Sequence, residues 1–144
     1  MTAADPAVPP LVVDASVGVK WVVAEPHEAE ALGLLDGRFK LHVPAHFYVE
    51  VASTVWKKVV LRGELSADDG RDVRRRLDQI PLDIHPTDIL FEIALATKRT
   101  VYDCLYIALA ARLGCAAVTA DAKLYNATRG GSYSARVHWV GDAI

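Results

Sequence analysis

Residues 10–16 read Pro-Leu-Val-Val-Asp-Ala-Ser, and residues 116–121 read Ala-Ala-Val-Thr-Ala-Asp. Each is a short apolar run that stops at a carboxylate, and each is followed by a pattern that suits a helix better than a strand. Three further runs have the same strand-like character: Lys40–Val43, Leu82–His85 and Val137–Val140. Between the strands the apolar spacing turns helical. Helices are expected over Ser16–Ala24, His27–Asp36, Ala45–Leu61, Ala67 to about Gln79, Asp88–Lys98, Tyr102–Leu113 and Ala122–Thr128. Pro26 suits a first helical turn, Ser66 is a good N-cap with an acid three residues on, and Gly37, Gly63 and Gly114 follow helix ends. Strands separated by helices pair in parallel through right-handed crossovers. The fold class expected is therefore α/β, a three-layer α/β/α sandwich around a mostly parallel sheet of about five strands.

A chain of 144 residues that is 52% hydrophobic suits one domain with a real core. Residues 1–10 are rich in Ala and Pro, lack the features of a signal peptide, and are expected to be a loosely ordered tail before a single domain over 11–144. No apolar run approaches the roughly 18 residues that span a bilayer, so no membrane role is expected and the cytoplasm is the expected location. Cys104 and Cys115 lie in apolar sequence without zinc or disulfide spacing and read as reduced core thiols. The net charge of −2 provides no global field for nucleic acid, so such a partner needs local charge or metal.

In parallel α/β sheets, ligand sites form outside the carboxyl ends of the strands. Asp14 and Asp121 stand at two such ends. Glu50 lies in the second turn of the helix from Ala45, and Asp103 opens a helix that is apolar nearly all round. Each acid has a simpler use. Asp14 and Asp121 can cap the helices after them, worth about 1 kcal/mol. Asp103 can favour its helix dipole, and Glu50 can pair with Lys57 or Lys58. Taken together, all four fall on one sheet edge if the helices start near it.

The ordered set VVDASV (12–17), PAHFYVEVAS (44–53), TVYDCLYIALA (100–110) and VTADAKL (118–124) resembles the PIN-domain ribonucleases, and within them it is most similar to VapC-type toxins of toxin–antitoxin systems. The resemblance runs from Leu11 to Val140. It implies a PIN fold and places the family's acidic tetrad on Asp14, Glu50, Asp103 and Asp121, as catalytic and metal-binding residues. Ser16 and Thr119 take supporting positions. Lys98 stands where many relatives carry a turn glycine. The resemblance further implies a cognate VapB-type antitoxin that places a basic side chain against the acids, and a homodimer.

Four close carboxylates repel one another in a partly dry pocket, and they must either hold protons or bind a cation. Oxygen-only donors suit Mg2+, with Mn2+ able to substitute. Such a site suits metal-dependent hydrolysis of a phosphodiester, and the resemblance implies RNA as its substrate, tRNA or rRNA, cut endonucleolytically, with translation as the process inhibited. Two divalent ions would reverse the sign of the net charge, so affinity for RNA should depend on metal.

Lys20 and Lys123 lie near the proposed site in sequence and are candidate backbone contacts. Arg71, Arg74, Arg75 and Arg76 alternate with acids and read as a solvated face, with phosphate contact as the alternative. Trp21, Trp56 and Trp139 suit a core better than base stacking, and the five histidines take no catalytic part. On the long helix, Val49, Trp56 and Val60 exceed one apolar face, as an interface or a larger core would require. Two other functions compete. A non-catalytic nucleic-acid or protein-binding module could use the same scaffold. A receiver-like signalling domain would need an acceptor Asp after the third strand, where this chain has His85-Pro86.

Overall fold

The computed structural model describes residues 8–144. The tail expected over 1–10 lies outside the described residues as far as residue 7, and Pro10 already opens the first strand. Five strands form one sheet: β1 (Pro10–Val13), β2 (Lys40–Pro44), β3 (Asp83–His85), β4 (Ala117–Thr119) and β5 (Val137–Trp139), in the order β3-β2-β1-β4-β5. Every pairing is parallel.

Seven helices connect the strands: α1 (Ala15–Gly18), α2 (Glu28–Gly33), α3 (Phe47–Trp56), α4 (Ala67–Leu77), α5 (Phe91–Thr97), α6 (Val101–Leu113) and α7 (Ala122–Thr128). The chain steps one way from β1 through β2 to β3, then returns past β1 to β4 and β5. Right-handed crossovers therefore lay α1–α4 on one face and α5–α7 on the other. Packing of α3 on α1 and α4, and of α5 on α6, agrees with two separate layers. The winding reverses between β1 and β4, which opens a crevice at their carboxyl ends.

The core follows the apolar pattern. Val12 and Val13 of β1, Val43 of β2 and Val118 of β4 are fully buried, and Phe47, Val51 and Val55 present one buried stripe of α3. In α6 every residue from Cys104 to Ala110 is buried, as an apolar helix under a sheet requires. Cys104 is buried, Cys115 is half-buried, and both are free thiols.

Several helix boundaries differ from the periodic reading. The helix expected over Ser16–Ala24 is a single α-turn, continued by a 3-10 turn over Val19–Trp21. Packing here is tight: a Cβ on Gly18 would stand 2.4 Å from the Phe47 ring, so α1 and α3 touch at a glycine. Helix α2 begins only at Glu28, because His27 adopts the left-handed conformation at φ 66°. The last turn of the long helix, Lys57–Leu61, is wound as a π-helix before Gly63 reverses at φ 61°. Residues 86–90 are irregular, so α5 starts at Phe91 rather than Asp88, and it ends where Lys98 turns left-handed at φ 56°. Lys98 thus adopts the glycine-like backbone of the position it occupies.

Candidate active site

The register of β1 against β4 builds the site. Val13 lies beside Val118, and the Asp14 N–H donates to the Val118 carbonyl at 3.0 Å, so Asp14 and Thr119 leave the sheet side by side. Asp14 is buried. Its Oδ2 accepts from the Thr119 hydroxyl at 3.0 Å, from the Ser16 hydroxyl and, at 3.4 Å, from the Ser16 N–H. The two hydroxyls in turn accept backbone N–H groups from the end of β4: Ala120 donates across to Ser16 Oγ at 2.9 Å and Asp121 donates to Thr119 Oγ1, two residues before it, at 3.0 Å. Both hydroxyl protons are therefore spent on one carboxylate oxygen. Asp14 Oδ1 receives no donor among the described residues.

Asp121 caps α7 with Oδ1, which accepts from the N–H groups of Lys123 at 2.9 Å and Leu124 at 3.3 Å. Its Oδ2 lies 3.8 Å from an Arg99 nitrogen. Asp103 sits in the first turn of α6, where its N–H donates to the Thr100 cap hydroxyl at 3.2 Å. The Arg99 guanidinium grips Asp103 Oδ2 through Nε at 3.1 Å and Nη2 at 2.8 Å. Glu50 projects from α3 with His46 Nε2 at 3.6 Å, while Lys58, a candidate partner for it, is taken by Glu25 and Glu64. Glu50 Oε1 is buried and has no hydrogen-bond partner, as is the Tyr106 hydroxyl beside it.

All four acids line one cleft of about 470 Å³, together with Ser16, Lys20, Glu25, Thr54 and Lys57. Among the described residues no three acids meet closely enough to form a ready-made metal cluster. They stand on the walls of the cleft. Burial pushes the Asp14 carboxyl up to about 6, with the Asp103 charge adding to it and the Ser16 and Thr119 hydroxyls opposing. Glu50 is pushed up to about 8, by burial first and then by the charges of Asp14 and Asp103, with Tyr106 opposing. The Tyr106 hydroxyl is held far above the ordinary tyrosine range by burial and by Asp14 and Glu50.

The donor set suits a hard divalent cation. Every acid in the cleft offers oxygen, Asp14 Oδ1 lacks a protein donor, and Glu50 Oε1 is an orphaned buried oxygen. Two lysines behave differently from each other. Lys20 lines the cleft but is held by Glu25 at 3.4 Å, whereas the side chain of Lys123 is exposed. Three arginines of α4 pair along their own helix, Arg71 with Asp68, Arg74 with Asp78 and Arg75 with Asp72, all exposed, which makes a solvated face, while Arg76 donates to the Val22 carbonyl at 2.8 Å. Trp21 is core, Trp139 is half-buried, and Trp56 is exposed. Three contributors escape the sequence reading: Arg99, His46 and Tyr106. The i,i+4 spacing of Arg99 to Asp103 and of His46 to Glu50 was the available signal.

Comparison with known proteins identifies the family. The model of the PIN domain matches residues 11–130. Ribonuclease VapC9 of Mycobacterium tuberculosis is 33% identical over 116 residues, 79% of this chain and 87% of its own length. Ribonuclease VapC12 of the same organism is equally similar over 88% of its length, and Ribonuclease VapC3 of Pyrobaculum aerophilum is 32% identical over 120 residues and 91% of its length. The crystal structure of PAE2754 from Pyrobaculum aerophilum superposes with a TM-score of 0.65 at 21% identity, over 94% of this chain and 88% of that one, a likeness of fold. The chain belongs to the PIN-domain family and, within it, to the VapC ribonuclease type.

Proposed function

We propose that this chain is a metal-dependent endoribonuclease that hydrolyses RNA phosphodiester bonds, the toxin of a type II toxin–antitoxin pair that inhibits translation. The observation that carries the reading is one oxygen-lined cleft at the β1/β4 crevice, with Asp14 Oδ1 free of donors and Glu50 Oε1 buried without a hydrogen bond. Asp14, Glu50, Asp103 and Asp121 would hold Mg2+, or Mn2+ in its place. When bound, the ion supplies the Lewis acidity and charge neutralisation that phosphodiester hydrolysis requires.

The protein's own residues prepare that chemistry. Ser16 and Thr119 fix the Asp14 carboxylate through Oδ2 and leave Oδ1 for the ligand. The α7 N–H groups fix Asp121 in the same way through Oδ1. Without a cation, Glu50 keeps its proton up to about pH 8, which spares the cleft one buried charge. Lys20 and Lys57 on the cleft wall, and Lys123 outside it, bring positive charge toward a phosphate backbone.

The substrate class is structured RNA, tRNA or rRNA, and the setting is the cytoplasm; no helix among the described residues is long and apolar enough to cross a membrane. A VapB-type antitoxin and a second copy of the chain are the proposed protein partners. Exposed Val49 and Trp56 on α3 and Val60 in the π-helical turn after it, together with an apolar groove of about 380 Å³ between α3 and α4, support protein contacts there.

Sequencing of RNA ends after brief expression, against an Asp103→Asn control, should reveal cuts at defined positions that vanish in the variant. Cleavage by pure protein that survives both EDTA and Asp14→Asn would overturn the proposal. The separation of the acids along the cleft favours a second reading, a non-catalytic binding module. Calorimetry that detects neither Mg2+ nor Mn2+ binding would support it.

A further inference from the structure

Arg99 grips one carboxylate oxygen of Asp103 and faces the uncapped oxygen of Asp121, two acids of the cleft. Asp121 has spent Oδ1 on the α7 cap, so Oδ2 is its free oxygen, and that atom faces Arg99 Nη2 at 3.8 Å. The same nitrogen and Nε close on Asp103 Oδ2 at 2.8 and 3.1 Å. One guanidinium thus links the first turn of α6 to the start of α7.

The contact is built rather than incidental. Left-handed Lys98 turns the chain so that Arg99 enters one helical turn before Asp103. The Arg99 N–H donates to the buried Thr97 hydroxyl at 3.3 Å, and that hydroxyl donates to the Ile93 carbonyl at 2.7 Å, which anchors the backbone at the end of α5. The Arg99 side chain is only 27% exposed, against 67–75% for the arginines of the α4 ion pairs, so water and salt screen it less.

We propose that Arg99 is a positioning residue that serves as an internal counter-ion: it stands in for the divalent cation at Asp103 and Asp121 and must release them before the cation binds. The inference rests on the metal-dependent reading of the cleft. Guanidinium and cation compete for the charge of the same two carboxylates, and at Asp121 for its one uncapped oxygen, so Arg99 sets the cation concentration at which the site loads. It also holds two acids of like charge in place while no metal is bound.

Calorimetric titration of Mn2+ into wild type, Arg99→Gln, Arg99→Lys and Lys98→Gln tests this, with a thermal melt of each to confirm folding. Arg99→Gln should bind Mn2+ roughly tenfold more tightly, the scale of one lost charge-assisted ion pair. Arg99→Lys, which keeps the charge but not the fork, should fall between, and it remains informative if Arg99→Gln fails to fold. Lys98→Gln removes the same charge from the adjacent, exposed position and should change affinity by less than about twofold. Binding by Arg99→Gln where wild type shows none would also support the proposal. Equal or weaker binding by folded Arg99→Gln, a Lys98→Gln effect as large as that of Arg99→Gln, or Arg99→Lys no tighter than wild type when it is the only folded variant, would overturn it alone. No Mn2+ binding by any variant would overturn it together with the metal-dependent reading.

Discussion

The Thr119 hydroxyl at the end of β4 donates to Asp14 Oδ2 at the end of β1, across 3.0 Å and 105 residues of chain. With Ser16 it locks one oxygen of the carboxylate and leaves the other for a ligand. Thr119→Val keeps the volume and deletes that donor. The hydroxyl lowers the Asp14 pKa, so its loss should raise it further above about 6, and the acidic limb of the cleavage pH profile should move to higher pH. Stability should fall by about 1–2 kcal/mol because the Asp121 N–H also loses its acceptor, as a urea melt would reveal.

Metal-free protein should become less stable as pH rises from about 4 to 8. Asp14 near 6 and Glu50 near 8 both sit above their unfolded values of 3.8 and 4.5, so the native state binds more protons than the unfolded state in that window. Their favourable contribution is complete below the unfolded values and is lost as each ionises in the fold. For buried Asp14 alone the loss is about 3 kcal/mol. Melting temperature in EDTA should decline across the window, and added Mg2+ should restore it most near pH 8. A curve flat in EDTA would contradict the raised carboxyls.

Glu50→Gln should separate stability from activity. The amide cannot ionise, so the metal-free variant should melt at or above the wild-type temperature at pH 8, with cleavage reduced at least about 100-fold. Asp14→Asn should behave likewise. A drop in melting temperature with cleavage retained would return Asp14 to a capping role.

Gly18→Ala should test the coupling of packing to the site. The new Cβ would stand 2.4 Å from the Phe47 ring, and Phe47 opens the helix that carries Glu50. A cost of about 1–3 kcal/mol is expected, measured by denaturant melt, with cleavage reduced as α3 shifts.

Much of the architecture is legible in local pattern. Strand runs at Pro10–Val13 and Ala117–Thr119, the Ser66 cap and the Gly114 that ends α6 all depend on residues a few positions apart, so short-range spacing reveals them. The boundaries it misplaces lie where the backbone leaves regular helix geometry: α1 passes into a 3-10 turn at Val19, α2 waits for left-handed His27, and irregular residues 86–90 delay α5 to Phe91. Asp14 and Asp121 are also caps, as the simpler reading held, but each carboxylate divides the work between its two oxygens.

By itself the sequence determined the alternation of strands and helices, the parallel α/β class and the four acids at candidate strand ends and helix starts, because each is a property of residues close in the chain. Tertiary structure alone decided that β1 and β4 are neighbours, that Ser16 and Thr119 converge on one oxygen of Asp14, and that Arg99 bridges Asp103 to Asp121. The physical reason is that strand order and register come from packing the whole sheet against both helical layers, and atoms a hundred residues apart meet only once that packing is complete.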